Sequence, residues 1–152
     1  MKKTYGLFVV VSLLMLFMSV GCAPSTFIKG RPGGWKTIEL NENLVGNYAS
    51  AWQKTVDTVA RDYDIELLDK DSGYLRTAWM YGISGGIYHR YRGRLTIKYP
   101  EITDPGKVEV KTDAQWLSEQ TYGIWQRGWD SSFDRDVFTA LSGRLGRTVS
   151  PD

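Results

Sequence analysis

The apolar residues Tyr48, Trp52, Val56, Val59 and Tyr63 recur at spacings of four, four, three and four. That is the period of a helix that buries one face. Asn47 just before them has the side chain of an N-cap, and Gln53, Lys54, Asp57 and Arg61 fall on the opposite, polar face. A second stripe, Phe133, Val137, Leu141 and Leu145, joined by Phe138 and Ala140, predicts a closing helix. Its expected start is Ser131, with Asp134 three residues on as a near-match to a capping box, and its expected end is Gly146. Gly143 weakens it locally.

Between the two helices the period is two. Trp35 to Leu40 alternates briefly and reads as a strand. Asp64 to Lys70 and Tyr74 to Tyr81 flank the turn signal Asp71-Ser72-Gly73 and read as a hairpin. From Ile87 to Pro100, Tyr91, Gly93, Leu95, Ile97 and Tyr99 take one side, while Arg90, Arg92, Arg94, Thr96 and Lys98 take the other. Val108 and Val110 then alternate with Lys107, Glu109 and Lys111. Gly82 to Gly86 reads as a hairpin loop. The stretch from Gln115 to Trp129 holds Trp116, Tyr122, Trp125 and Trp129 with neither period, and is expected to be an ordered loop over the domain.

Short connections between strands make the sheet antiparallel with one solvated face. The expected class is α+β, an antiparallel sheet packed on one face by two helices. Gly93, Leu95, Ile97 and Tyr99 should face the helices, against Trp52, Val56, Val59, Val137 and Leu141. A slip of one residue would bury the arginines instead, and glycine at position 93 would let a helix side chain come close to the sheet.

The N-terminal segment has a different pattern. Lys2 and Lys3 precede an apolar run from Leu7 to Val20, with small residues arriving at Gly21. This is the order of a secretory signal, and it is shorter than the roughly 20 residues of a spanning helix. Cys22, the one cysteine of the 152 residues, follows at once. The stretch resembles the lipobox of bacterial lipoproteins, where the cysteine becomes the first mature residue and carries lipid. Gly21 and Cys22 fit it, and Ser19 stands where leucine is usual. The expected organisation is a signal peptide over residues 1–21, a flexible Pro- and Gly-rich tether over 22–34, one domain over 35–147 and a short tail over 148–152. The resemblance implies a membrane anchor through Cys22. Ala23 is not the aspartate that retains enteric lipoproteins in the inner membrane, so the periplasmic face of the outer membrane is the expected location.

Removing Lys2 and Lys3 leaves 17 basic and 17 acidic residues, so net charge gives no reason to expect nucleic acid as a partner. With one cysteine and one histidine no zinc or iron–sulfur spacing can be assembled, and no metal or cofactor is expected. His89 is the sole candidate base for a hydrolase, with Ser84, Ser131 or Ser132 as nucleophiles, but none of these serines sits in a nucleophile elbow. The paired carboxylates Asp69/Asp71 and Asp134/Asp136 have a turn and a helix start to explain them. An enzyme is therefore not expected. The features suited to binding are the basic stripe Arg90, Arg92, Arg94 and Lys98, extended by Arg76 and Lys111, and the aromatic residues Trp116, Trp125 and Trp129. The stripe suits an acidic partner, a lipid headgroup or a lipid phosphate, unless Glu66 and Glu109 balance it across the strands.

The order of elements, with the run from Ala51 to Trp79 (AWQKTVDTVARDYDIELLDKDSGYLRTAW), the YRGRLTIKY strand and a closing helix, resembles the BamC (NlpB) type of lipoprotein domain. The resemblance implies a helix-grip fold and a non-enzymatic accessory role, through an envelope protein partner, in inserting β-barrel proteins into the outer membrane. An alternative reading is a carrier of a small ligand, lipid or glycan in the groove between helix and sheet, lined by Trp52, Val56 and Leu95.

Overall fold

A computed structural model describes residues 23–85, 89–118 and 123–147. The signal segment, Cys22, Tyr122 and the tail over 148–152 lie outside the described residues. In chain order the elements are β1 (Phe27–Lys29), β2 (Lys36–Glu39), α1 (Tyr48–Ala60), β3 (Ile65–Asp69), β4 (Tyr74–Thr77), β5 (Met80–Tyr81), a short 3₁₀ turn (Ile83–Gly85), β6 (Tyr91–Lys98), β7 (Lys107–Leu117), β8 (Trp125–Asp130) and α2 (Ser131–Leu145). The sheet runs β1-β8-β7-β6-β4-β3, with β2 also pairing β7 and β5 also pairing β6. Every pairing is antiparallel. The fold is α+β, with both helices packing on the sheet, as the pattern predicts.

The register of β6 is the expected one. Tyr91, Gly93, Leu95 and Ile97 are buried, Tyr99 follows them into the core, and Arg92, Arg94 and Lys98 remain partly open to solvent. Val108, Val110, Thr112, Ala114 and Trp116 of β7 continue the same inward face. Gly93 sits where a Cβ atom would lie 2.8 Å from the Phe133 ring of α2, so its missing side chain is what admits that ring.

The helices differ in detail from the pattern. Asn47 caps α1 by accepting from the Ser50 amide at 3.1 Å. The buried face of α1 is Ala51, Trp52, Thr55, Thr58 and Val59, while Tyr48, Val56 and Tyr63 are only half-buried. The threonines are tolerated inside because their hydroxyls find partners. Thr55 bonds the Ala51 carbonyl at 2.9 Å and the Tyr99 hydroxyl at 2.7 Å. In α2 the N-cap is Asp130, one residue before the expected Ser131, and Ala140 is exposed rather than buried. Gly146 does close α2, its amide bonding the Ser142 carbonyl at 2.9 Å.

Three strand expectations are corrected. Tyr74 to Tyr81 is not one strand. Arg76 pairs with Thr96 and Met80 with Gly93, leaving Thr77, Ala78 and Trp79 against Arg94 and Leu95. The extra residue forms a bulge that separates β4 from β5 and re-aims Trp79. The segment from Gln115 to Trp129 is not a loop, since β7 runs through Leu117 and β8 begins at Trp125. The segment over 22–34 is not a free tether from Ala23 onward. Ala23 and Phe27 pack against the core, the Thr26 hydroxyl reaches Asp130 at 2.6 Å, and β1 pairs with β8.

Candidate functional site

The outward side of the sheet gathers residues that lie far apart in the chain. Successive strand residues alternate faces, so burying the odd-numbered positions of β6 turns Arg92, Arg94 and Lys98 outward. Arg92 lies opposite Tyr81 of β5 and Gln115 of β7. Its guanidinium rests 3.8 Å from the Trp125 ring centroid, 4.6 Å from that of Trp79 and 5.9 Å from that of Tyr81. It donates to Gln115 Oε1 at 2.7 and 3.1 Å and to the Tyr81 hydroxyl at 3.2 Å. Each cation–ring contact contributes about 0.5–1 kcal/mol at an exposed site. Together they hold a planar donor fork in one orientation. Among the described residues no carboxylate forms an ion pair with Arg92.

Of the other cations of the face, two have a carboxylate each, as cross-strand pairing anticipates, and two share one. Arg76 meets Glu66 at 3.1 Å and Lys98 meets Glu109 at 3.2 Å. Arg94 stands opposite Asp113 at 3.7 Å and stacks 4.5 Å from the Trp79 centroid, while Lys111 reaches the same carboxylate at 3.4 Å. Arg90 lies in the turn just ahead of β6, as does His89, and its carbonyl accepts from the Leu117 amide at 2.8 Å, continuing the pairing with β7.

A groove of about 360 Å³ opens beside this ladder. One wall is Trp79, Arg94, Lys111, Asp113 and Gln115, and the other is Arg127 with the Gly30 to Pro32 segment that leaves β1. Ala114 and Gly128, whose Cα positions turn inward, also line it. The loop is held in place locally. Gly30 adopts a left-handed conformation that favours glycine, and its amide bonds the Arg127 carbonyl at 2.9 Å. Gly33 passes so close to the Thr112 carbonyl that a Cβ atom would overlap it.

The three aromatic candidates separate. Trp116 points inward, buried against Tyr91 with ring centroids 6.1 Å apart, and is a core residue rather than part of a surface. Trp125 is part of the Arg92 ladder, and Trp129 faces Arg31, whose guanidinium lies 4.8 Å from its centroid. Trp79, Tyr81, Gln115, Asp113, Arg31 and Arg127 were not among the sequence candidates. The bulge places Trp79, and β8 pairing places Arg127, so neither has a local signal.

A second cluster lies on the inward side at the start of α2. Asp130, 1% exposed, accepts at one oxygen from Ser84 and the Phe133 amide, both at 2.7 Å, and at the other from Thr26 at 2.6 Å and Tyr91 at 2.5 Å. Burial pushes its carboxyl up, but the four donors outweigh burial and hold it below the ordinary value. Burial, with the Asp130 carboxylate as acceptor and charge, drives the Tyr91 hydroxyl upward. Ser84, in a left-handed conformation rare for a non-glycine residue, is thus tied to a carboxylate. Asp134, read as an acid of the first helical turn, is also buried; it accepts from Thr112 at 2.6 Å and pairs with Lys36.

No helix among the described residues is long and apolar enough to cross a membrane. The chain matches none of the protein-family models with which it was compared, and no curated protein matches it.

Proposed function

We propose that the protein is a lipid-anchored accessory module of the bacterial envelope, held at the membrane through Cys22 and binding an envelope protein partner through the Arg92–Trp79–Trp125 ladder. The observation that carries this reading is the ladder itself, a fixed cation between aromatic rings on the solvent side of the sheet. Arginine and tryptophan in this arrangement are the residues that most often dominate the energy of a protein contact. Ile124, 66% exposed, and Tyr81, 41% exposed, border it with apolar surface. The anchor suits such a role because Ala23, bonded to Cys22, already packs on the domain. Acyl chains at Cys22, contributing about 0.8 kcal/mol per buried CH₂, would seat the domain directly on the membrane surface.

Two observations favour binding over the alternatives. At the α1 end of the sheet, the rings of Tyr48, Trp52 and Tyr99 pack on one another with centroids 5.4–6.0 Å apart. Ring-on-ring packing occupies space that a carrier would give to its ligand. Asp130, with both oxygens engaged by donors and its carboxyl held low, is a poor base for Ser84. The role in β-barrel assembly follows from the BamC-type resemblance and is part of the same proposal.

Cys22→Ala should move the exported protein from the membrane fraction to the soluble fraction. A variant that still sediments with the outer membrane contradicts the anchor. In a strain lacking the protein, folded outer-membrane β-barrel proteins should fall and be restored by the wild type but not by Arg92→Ala/Trp125→Ala. Unchanged β-barrel levels in the deletion strain would sink the assembly role.

A further inference from the structure

We propose that the groove between the Gly30 to Pro32 segment and the outward face of β6, β7 and β8 binds a phosphomonoester, either free or carried on a lipid headgroup. The charge balance around the groove is unlike that of the rest of the face. Towards β4, each cation has its own carboxylate, Arg76 with Glu66 and Lys98 with Glu109. Around the groove, Arg31, Arg94, Lys111 and Arg127 converge on a lining whose one carboxylate, Asp113, is already shared by Arg94 and Lys111. Arg94 Nε is removed from water and lacks a hydrogen-bond acceptor, since Asp113 at 3.7 Å is beyond bonding distance. An excess of cations facing one another repel, and an anion between them relieves that repulsion.

The donors are also set in advance. The Trp79 ring holds the guanidinium of Arg94, and the Trp129 ring holds that of Arg31. Planar guanidinium forks suit the oxygens of phosphate, which can accept from two forks and an ammonium together. Lys111 supplies that ammonium, and Gln115, which stands between Arg92 and Arg127 across the strands, adds a polar lining group. The groove's volume suits a small headgroup or sugar phosphate rather than a polymer. A doubly charged phosphomonoester fits the surplus of cations better than a singly charged diester or carboxylate.

The inference uses only groove residues, so its failure leaves the anchor reading intact. The full-length protein, purified in a non-ionic detergent, would be titrated with sn-glycerol 3-phosphate and, separately, with the same micelles doped with a few mol % phosphatidic acid. Tryptophan fluorescence reports on Trp79, which lines the groove, and on Trp129, which stacks with its Arg31. Saturation by glycerol phosphate identifies the free phosphomonoester as sufficient. Saturation by phosphatidic acid alone identifies the headgroup at a lipid surface. In either case Lys111→Gln and Arg127→Gln should each weaken binding about tenfold, the scale of losing one charge-assisted contact. Lys98→Gln, on the same face but outside the groove, should change it less than about twofold. Saturation by neither probe, or an equal loss in the Lys98 and Lys111 variants, overturns the proposal.

Discussion

Each oxygen of Asp130 accepts two hydrogen bonds, and the four donors come from the N-terminal segment, the 3₁₀ turn, β6 and α2. Asp130→Ala would leave three hydroxyls and a helix-start amide without their acceptor in a buried site. The expected loss is about 2–4 kcal/mol, from a missing cap and unsatisfied donors together. Asp130→Asn keeps one acceptor oxygen and should lose less. The carboxyl is held below its ordinary 3.8 in the folded protein, so its contribution to stability is present above that pH. It is lost as pH falls through the folded-state value. Urea unfolding across the acid range should therefore show a shallower loss for Asp130→Asn than for wild type; parallel curves would contradict the assignment. Leu95, fully buried on the inward face, should cost about 2–5 kcal/mol as alanine. Arg94→Ala, which loses a ring stack and a long ion pair with Asp113, should cost about 1 kcal/mol or less. A larger loss for Arg94→Ala would contradict the register of β6. Asp130 was legible as a cap type, but Asp130, Ser131 and Ser132 are all cap-competent. Only the position of the Phe133 amide selects among them.

The strands show how small residues shape an element. Gly93, Ala114 and Gly128 stand side by side across β6, β7 and β8 on the inward face. This low row admits two aromatic rings: a Cβ at Gly93 would come within 2.8 Å of Phe133, and one at Gly128 within 2.4 Å of Phe27. Gly128→Ala should displace β1 and cost about 1–3 kcal/mol, as overpacking does. Faster hydrogen exchange at the Gly30 amide, which bonds the Arg127 carbonyl, would report it, and unchanged exchange there would refute it. The same row explains why the far end of β7 and the whole of β8 were read as loop. Thr112, Ala114 and Gly128 are inward residues without apolar bulk, so hydrophobic alternation fades where the sheet lies closest to α2. In α1 the buried threonines misplace the stripe for a related reason. Tyr99 supplies a partner for the Thr55 hydroxyl, and that partner belongs to another element.

For the molecule as a whole, the point at which the domain begins decides which contacts close the β8 edge of the sheet. A soluble version starting at Trp35, the boundary that composition suggests, would lack β1, the Thr26 contact to Asp130 and the bond from the Ser131 amide to the Thr26 carbonyl. It should be less stable than one starting at Ala23 by about 2–4 kcal/mol, the scale of several lost hydrogen bonds plus a half-buried ring. Equal urea midpoints would show that β1 is dispensable. The sequence by itself determined the α+β class, both helices, the hairpin and the face that β6 turns inward. Each of these follows from local periodicity, and burying a run of arginines costs more than a small domain can spare. Only the tertiary structure decided that the segment after Cys22 joins the sheet, that Trp116 leaves the surface, and that Trp79, Arg92 and Trp125 meet beside a basic groove. Those outcomes depend on strand pairing between distant segments and on one bulge, and neither leaves a period in the chain.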